Sequence, residues 1–179
     1  MLTAREKRKE NPAEYLIYMF QVEDMLRAFN GDLQQIEDHL VTPRNLPPPI
    51  HKEMVGWYAN LVLMMEKEKI REKGHFQFIR NLISDMYDFH LRVMEVEADE
   101  EYIRTYRSTA GLIAEVRRKS DNGMNDVETC LTALYGFMML KISGKKVSEE
   151  TSEAMQRFSH WLGLLSSLFR RFEKGDFEL

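Results

Sequence analysis

The stretch from Asn11 to Phe29, NPAEYLIYMFQVEDMLRAF, commits the chain to helix. Asn11 is a good N-cap, Pro12 stands at the first helical position, where its missing N–H is harmless, and Glu14 completes an Asn-x-x-Glu capping box. Tyr15, Tyr18, Met19, Val22, Met25, Leu26 and Phe29 then recur three and four apart, one helical stripe that needs a core to face. Asn30-Gly31 ends it.

The same pattern continues. Asp32 caps a shorter helix, Leu33 to about Val41, with Leu33, Ile36 and Leu40 inward. Residues 42–49 (TPRNLPPP) hold four prolines in eight positions and read as a stiff, extended Pro-rich connector. Helices follow at about Ile50–Lys73, stopped by Gly74, and at Phe76–Val96, whose stripe runs Ile79, Leu82, Ile83, Met86, His90, Val93. Asp99 and two glutamates open a helix over Glu100–Lys119 with Tyr102, Tyr106, Thr109, Ile113 and Val116 inward. Ser120–Met124 reads as a loop. Asn125 and Glu128 form a second capping box for a helix to Ile142 that is apolar nearly all round, which suits a buried centre or an oligomer interface. Ser148 caps the last helix, Glu149–Lys174, with a heptad stripe from Met155 to Phe172. No segment reads as strand. The expectation is an all-α, single-domain, up-and-down bundle of about six helices over residues 1–179, with residues 1–10 a flexible arm or helix extension.

Composition narrows the function. The 179 residues are 44% hydrophobic and 30% charged, as in ordinary globular proteins. A net charge of −4 disfavours sequence-independent nucleic-acid binding. Local basic clusters at Arg5–Lys9, Arg117–Lys119 and Arg170–Arg171 keep a nucleic-acid accessory role as a minor alternative, although cations at a helix C-terminus need no ligand to explain them. The single cysteine, Cys130, excludes an intrachain disulfide. The charged N-terminal stretch lacks a signal-peptide core, and no apolar run approaches the ~20 residues of a membrane helix, so a cytoplasmic protein is expected.

Complete catalytic sets are missing. The one Glu-x-x-His, Glu72 to His75, is broken by Gly74, and no zinc pattern occurs, so no metal and no cofactor are expected. Cys130 on an apolar helix reads as an inert buried thiol. There is no nucleophile elbow and no phosphate-binding glycine loop. No catalytic residue is assigned. What remains is a polar set among apolar neighbours: His90 on a core stripe, and Glu23 with Arg27, spaced to pair at i, i+4 and sharing a flank of their helix with Leu16 and Phe20. Tyr18, Phe20, Glu23, Arg27 and His90 are therefore the candidate ligand-binding residues. The other histidines, His39, His51, His75 and His160, read as solvent-facing or terminal.

Arg8-Lys9-Glu10-Asn11, Ala13-Glu14-Tyr15-Leu16 and Tyr18 through Asp24 resemble the N-terminal signature of a domain-of-unknown-function family of bacterial cytoplasmic proteins. Ser148 to Thr151 and Leu162 to Ser166 are similar to its C-terminal helix, and Phe20 departs from the family's Trp. The resemblance implies an all-helical single domain and supplies no catalytic residue. The leading expectation is a non-enzymatic helical protein that acts through a protein partner or self-association, as a homodimer if Val127–Ile142 and Met155–Phe172 exceed one core. The alternative is a small-molecule binder or enzyme with an interhelical pocket at Glu23, Arg27 and His90.

Overall fold

In the computed structural model, residues 2–120 and 123–179 are described, and among them every regular element is helical. Asp121 and Asn122 of the expected Ser120–Met124 loop lie outside the described residues, as do Met1 and the side chains of Leu2, Thr3 and Arg5. The α-helices are α1 (Leu2–Glu10), α2 (Pro12–Ala28), α3 (Leu33–Ile36), α4 (Pro48–Lys67), α5 (Gln77–Glu95), α6 (Glu100–Lys119), α7 (Asp126–Ile142) and α8 (Glu149–Lys174). Among the described residues there are eight α-helices where about six helices were expected.

The first correction is at the N-terminus. Residues 2–10 are neither loose arm nor continuation of α2 but a separate helix. Pro12 has no N–H to donate and pushes its predecessor out of the helical region, so Asn11 is extended (φ −149°, ψ 96°) and caps α2 through the Glu14 amide. α1 is then tied to α8 by the Arg8–Glu173 ion pair (2.6 and 3.0 Å) and by Arg170, which donates to the Glu10 carbonyl at 3.2 Å.

The 42–49 connector is also corrected. Its prolines sit where helices tolerate them: Pro43 in a single 3-10 turn (Thr42–Arg44) and Pro48 at the start of α4. Ahead of that turn, α3 widens into a π-turn, Glu37–Val41, and Leu33 is exposed rather than inward.

α7 and α8 form the hub of the bundle, each packing against the other and against α2, α5 and α6. The α8 heptad lands as expected, with Met155, Phe158, Leu162, Leu165 and Phe169 buried, and Trp161 fully buried beside them. On α2 the deepest side is not only the sequence stripe. Leu16 and Phe20, on the flank, are as buried as Met19 and Leu26, because α1, α7 and α8 all pack around this helix. Each such apolar side chain contributes roughly 1.5–3 kcal/mol.

The end of α4 comes earlier than Gly74 suggested. The helix stops at Lys67, and the chain reverses through Lys69 at φ +58°, with the Ile70 amide donating to Met65 O and the Lys69 amide to Glu66 O. This is a Schellman closure with a lysine in the position glycine usually takes. Glu97 at φ +50° closes α5 the same way. The residues freed from α4, Ile70 to Phe76, become a loop laid across α2.

α7 divides in two. Val127, Cys130 and Leu131 are sealed in the core, whereas Met139, Leu140 and Ile142 are 41%, 39% and 66% exposed.

Candidate functional site

The Ile70–Phe76 loop meets α2 at two of the residues singled out from sequence. Glu23 is fully buried, and its two carboxylate oxygens are both occupied. One accepts the backbone N–H of Phe76 at 2.7 Å and the other lies 2.6 Å from His75 Nδ1, which donates to it. One turn on, Arg27 donates to the carbonyls of Ile70 and Gly74. The expected Glu23–Arg27 pair does not form, since Arg27 pairs instead with Asp24 at 3.0 Å. A charged side chain taken wholly out of water must be met by donors, and here a backbone amide and an imidazole supply them.

His75, expected to be solvent-facing, is half-buried. It stacks on Phe20 with ring centroids 4.1 Å apart. Phe20 in turn meets the edge of Tyr135 from α7, and the Tyr135 hydroxyl donates to Asp24 at 2.6 Å. Burial, and then the hydrogen bond to Asp24, push the Tyr135 phenol upward, so it stays a donor at any physiological pH. Phe20, Glu23 and Arg27 thus do converge on one place, a clamp joining α2, α7 and the α4–α5 loop.

The other two candidates lie elsewhere. Tyr18 is half-buried beside Tyr58 and Arg44. His90 sits in a second polar cluster, between α5, α6 and α8. Its Nδ1 is 2.7 Å from the Tyr102 hydroxyl, and its ring packs edge-on against Tyr106 (centroids 4.4 Å) and Trp161 (5.3 Å). At 1% exposure it is sealed from solvent. Burial lowers its pKa to about 4, against the opposing pull of Asp126, so the imidazole is neutral at neutral pH. Tyr106 donates to Asp126 at 2.6 Å, and Arg117 donates to the other Asp126 oxygen at 2.9 Å. Cys130 lies in the same interior; burial first, then Asp126, push its thiol well above the ordinary range, which makes it a poor nucleophile.

Sequence reasoning missed His75, Tyr135, Tyr102, Tyr106, Asp126 and Trp161 as members of polar clusters. A signal existed for two of them. Tyr102 and Tyr106 stand at i, i+4 on an inward stripe, and buried tyrosine hydroxyls need partners, which points toward a core histidine. His75 gave none, because it lies between helices, where periodicity is silent.

Among the described residues, no group of three or more His, Cys, Asp or Glu side chains is placed to hold a metal ion, and no helix is long and apolar enough to cross a membrane. No curated protein and no solved structure matches the chain. The chain belongs to the family described as Domain of unknown function (DUF4924), whose model matches residues 1–176.

Proposed function

We propose that this protein is a non-enzymatic helical module that acts by self-association, with a second copy of the chain seated on the outer half of α7. The observation that carries this reading is the exposure of Met139, Leu140 and Ile142 on a helix whose first half is core. Exposed apolar side chains grouped this way mark association surfaces in proteins of this size. The same helix argues for a second copy as the occupant. α7 carries the part-exposed Glu128 in its first turn and ends with Lys141, followed by Lys145 and Lys146. Two antiparallel α7 helices related by a two-fold axis set each acidic start near the partner's basic end. At the middle of the pairing, Gly136 is exposed, with nothing within 4 Å of where a Cβ would stand, so a second backbone can approach closely.

The polar clusters support this reading over catalysis. Tyr18, the Glu23 clamp and His90 engage separate partners, and the hydrogen bonds of the two clusters tie one helix or loop to another. One arginine of each basic cluster is held within the molecule: Arg8 by Glu173, Arg117 by Asp126, and Arg170 by the Glu10 carbonyl. Light scattering on the eluting protein tests the proposal. A dimer at micromolar concentration that Leu140→Glu converts to a folded monomer is expected. A wild-type chain that stays monomeric at all concentrations up to the millimolar range overturns it.

A further inference from the structure

Residues of α1, α2, α4 and α5 line a groove of about 560 Å³. Its floor is Met19 and Leu61, both buried. Its walls are three half-buried aromatic rings, Tyr15, Trp57 and Phe78, and its rim carries Arg8 and Lys9 from α1. The groove exists because Asn11-Pro12 breaks the helix and lets α1 fold over α2, with Ala4 anchored against the core.

We infer that this groove binds a small amphiphile with an apolar body and a single anionic head, of the fatty-acid or aryl-carboxylate class. Three features point to that chemistry. The walls are rings, which offer flat apolar area at low entropic cost. Two of the rings have polar edges, the Tyr15 hydroxyl and the Trp57 indole N–H, and neither makes a hydrogen bond to the described residues. These donors are free to meet a ligand's oxygens. The rim's free cation is Lys9, which is exposed and makes no ion pair among the described residues; Arg8 beside it is held in place by Glu173. Free donors and a free cation lining an aromatic trough select a carboxylate on an apolar tail over a neutral or cationic amphiphile. The groove does not involve α7, so this inference stands apart from self-association.

Titration with decanoate below its micelle threshold tests it, with decanol as the neutral control and calorimetry as the readout. The intrinsic fluorescence of Trp57 gives a second readout, since the only other tryptophan, Trp161, is fully buried. Expected are saturable decanoate binding, decanol weaker by about ten-fold or more, and a similar loss for decanoate on Lys9→Glu with unchanged thermal stability. Trp57→Leu, checked for folding by circular dichroism, abolishes the fluorescence response and weakens the calorimetric one. No saturable binding, equal affinity for decanol and decanoate, or a Lys9→Glu variant that binds decanoate as well as wild type each overturn it.

Discussion

Glu23 and His75, 52 positions apart in the chain, meet at 2.6 Å through a fully buried carboxylate oxygen and an imidazole Nδ1. The contact fixes the tautomer of His75 and holds the ring flat against Phe20. With the second oxygen on the Phe76 amide, Glu23 both locks the α4–α5 loop to α2 and satisfies a backbone donor at the start of α5. Arg27 repeats the device one turn later on the carbonyls of Ile70 and Gly74. The polar flank of α2 is a latch for a loop.

The latch predicts a pattern of stabilities. Glu23→Leu strands the buried Phe76 amide and the half-buried His75 Nδ1 and should cost about 2–4 kcal/mol in urea denaturation. Glu23→Gln keeps an acceptor and should cost less. Combining Glu23→Leu with His75→Ala should be less harmful than the sum, with a coupling of about 1–2 kcal/mol. Strict additivity of the two changes would show that the latch is not energetically real.

The sealed His90 predicts a pH dependence with a definite sign. Its folded-state pKa is about 4, below the ordinary 6.5, so the unfolded chain takes up the proton first as pH falls. Above pH 6.5 this group has no effect; between about 6.5 and 4 it removes stability, on the order of 3 kcal/mol in total. Tyr102 and Tyr106 pack against the ring, and Asp126, held by Tyr106 and Arg117, lies beyond them. Comparing wild type with His90→Gln isolates the histidine: the variant's stability should be flatter over that window. Parallel curves for the two proteins would refute the assignment.

Cys130 predicts a chemical silence. The thiol is fully buried and burial raises its pKa. Native protein at pH 8 should react with a disulfide reagent only as fast as it opens, and the full thiol should appear at once in urea. Prompt labelling of the folded protein would place Cys130 at the surface.

How much of this was legible in sequence depends on which force wrote each feature. α6 and α8 appear within the bounds expected, because caps, charges and stripe all coincide there. The end of α4 was harder, since Lys69 adopts a conformation that only glycine advertises. Phe20, Glu23 and Arg27 were correctly grouped from their shared flank, but their true partners, His75 and the Ile70–Gly74 carbonyls, come from a loop with no periodic signal. His90 stood out as a polar residue on a core stripe, and its sealed setting follows from that stripe. Its separation from Glu23 follows from helix order in space, which periodicity does not encode.

Lys69 offers the most direct test of the loop's origin. Holding a non-glycine residue at φ +58° costs roughly 1 kcal/mol, and the exposed side chain makes no ion pair among the described residues. Glycine at the turn after a helix removes that strain, at the expense of a more flexible unfolded chain. Lys69→Gly should therefore raise stability by about 0.5 kcal/mol, with a corresponding rise in Tm. Gly74, at φ +96°, is the mirror case: a Cβ there meets only Ile70 at an ordinary 3.5 Å, so the penalty of Gly74→Ala is backbone strain alone, about 1–2 kcal/mol. Opposite signs for the two substitutions, read by thermal and urea denaturation, are the expected result. A destabilising Lys69→Gly would mean that the lysine side chain, and not the Met65 and Glu66 carbonyls, ends α4.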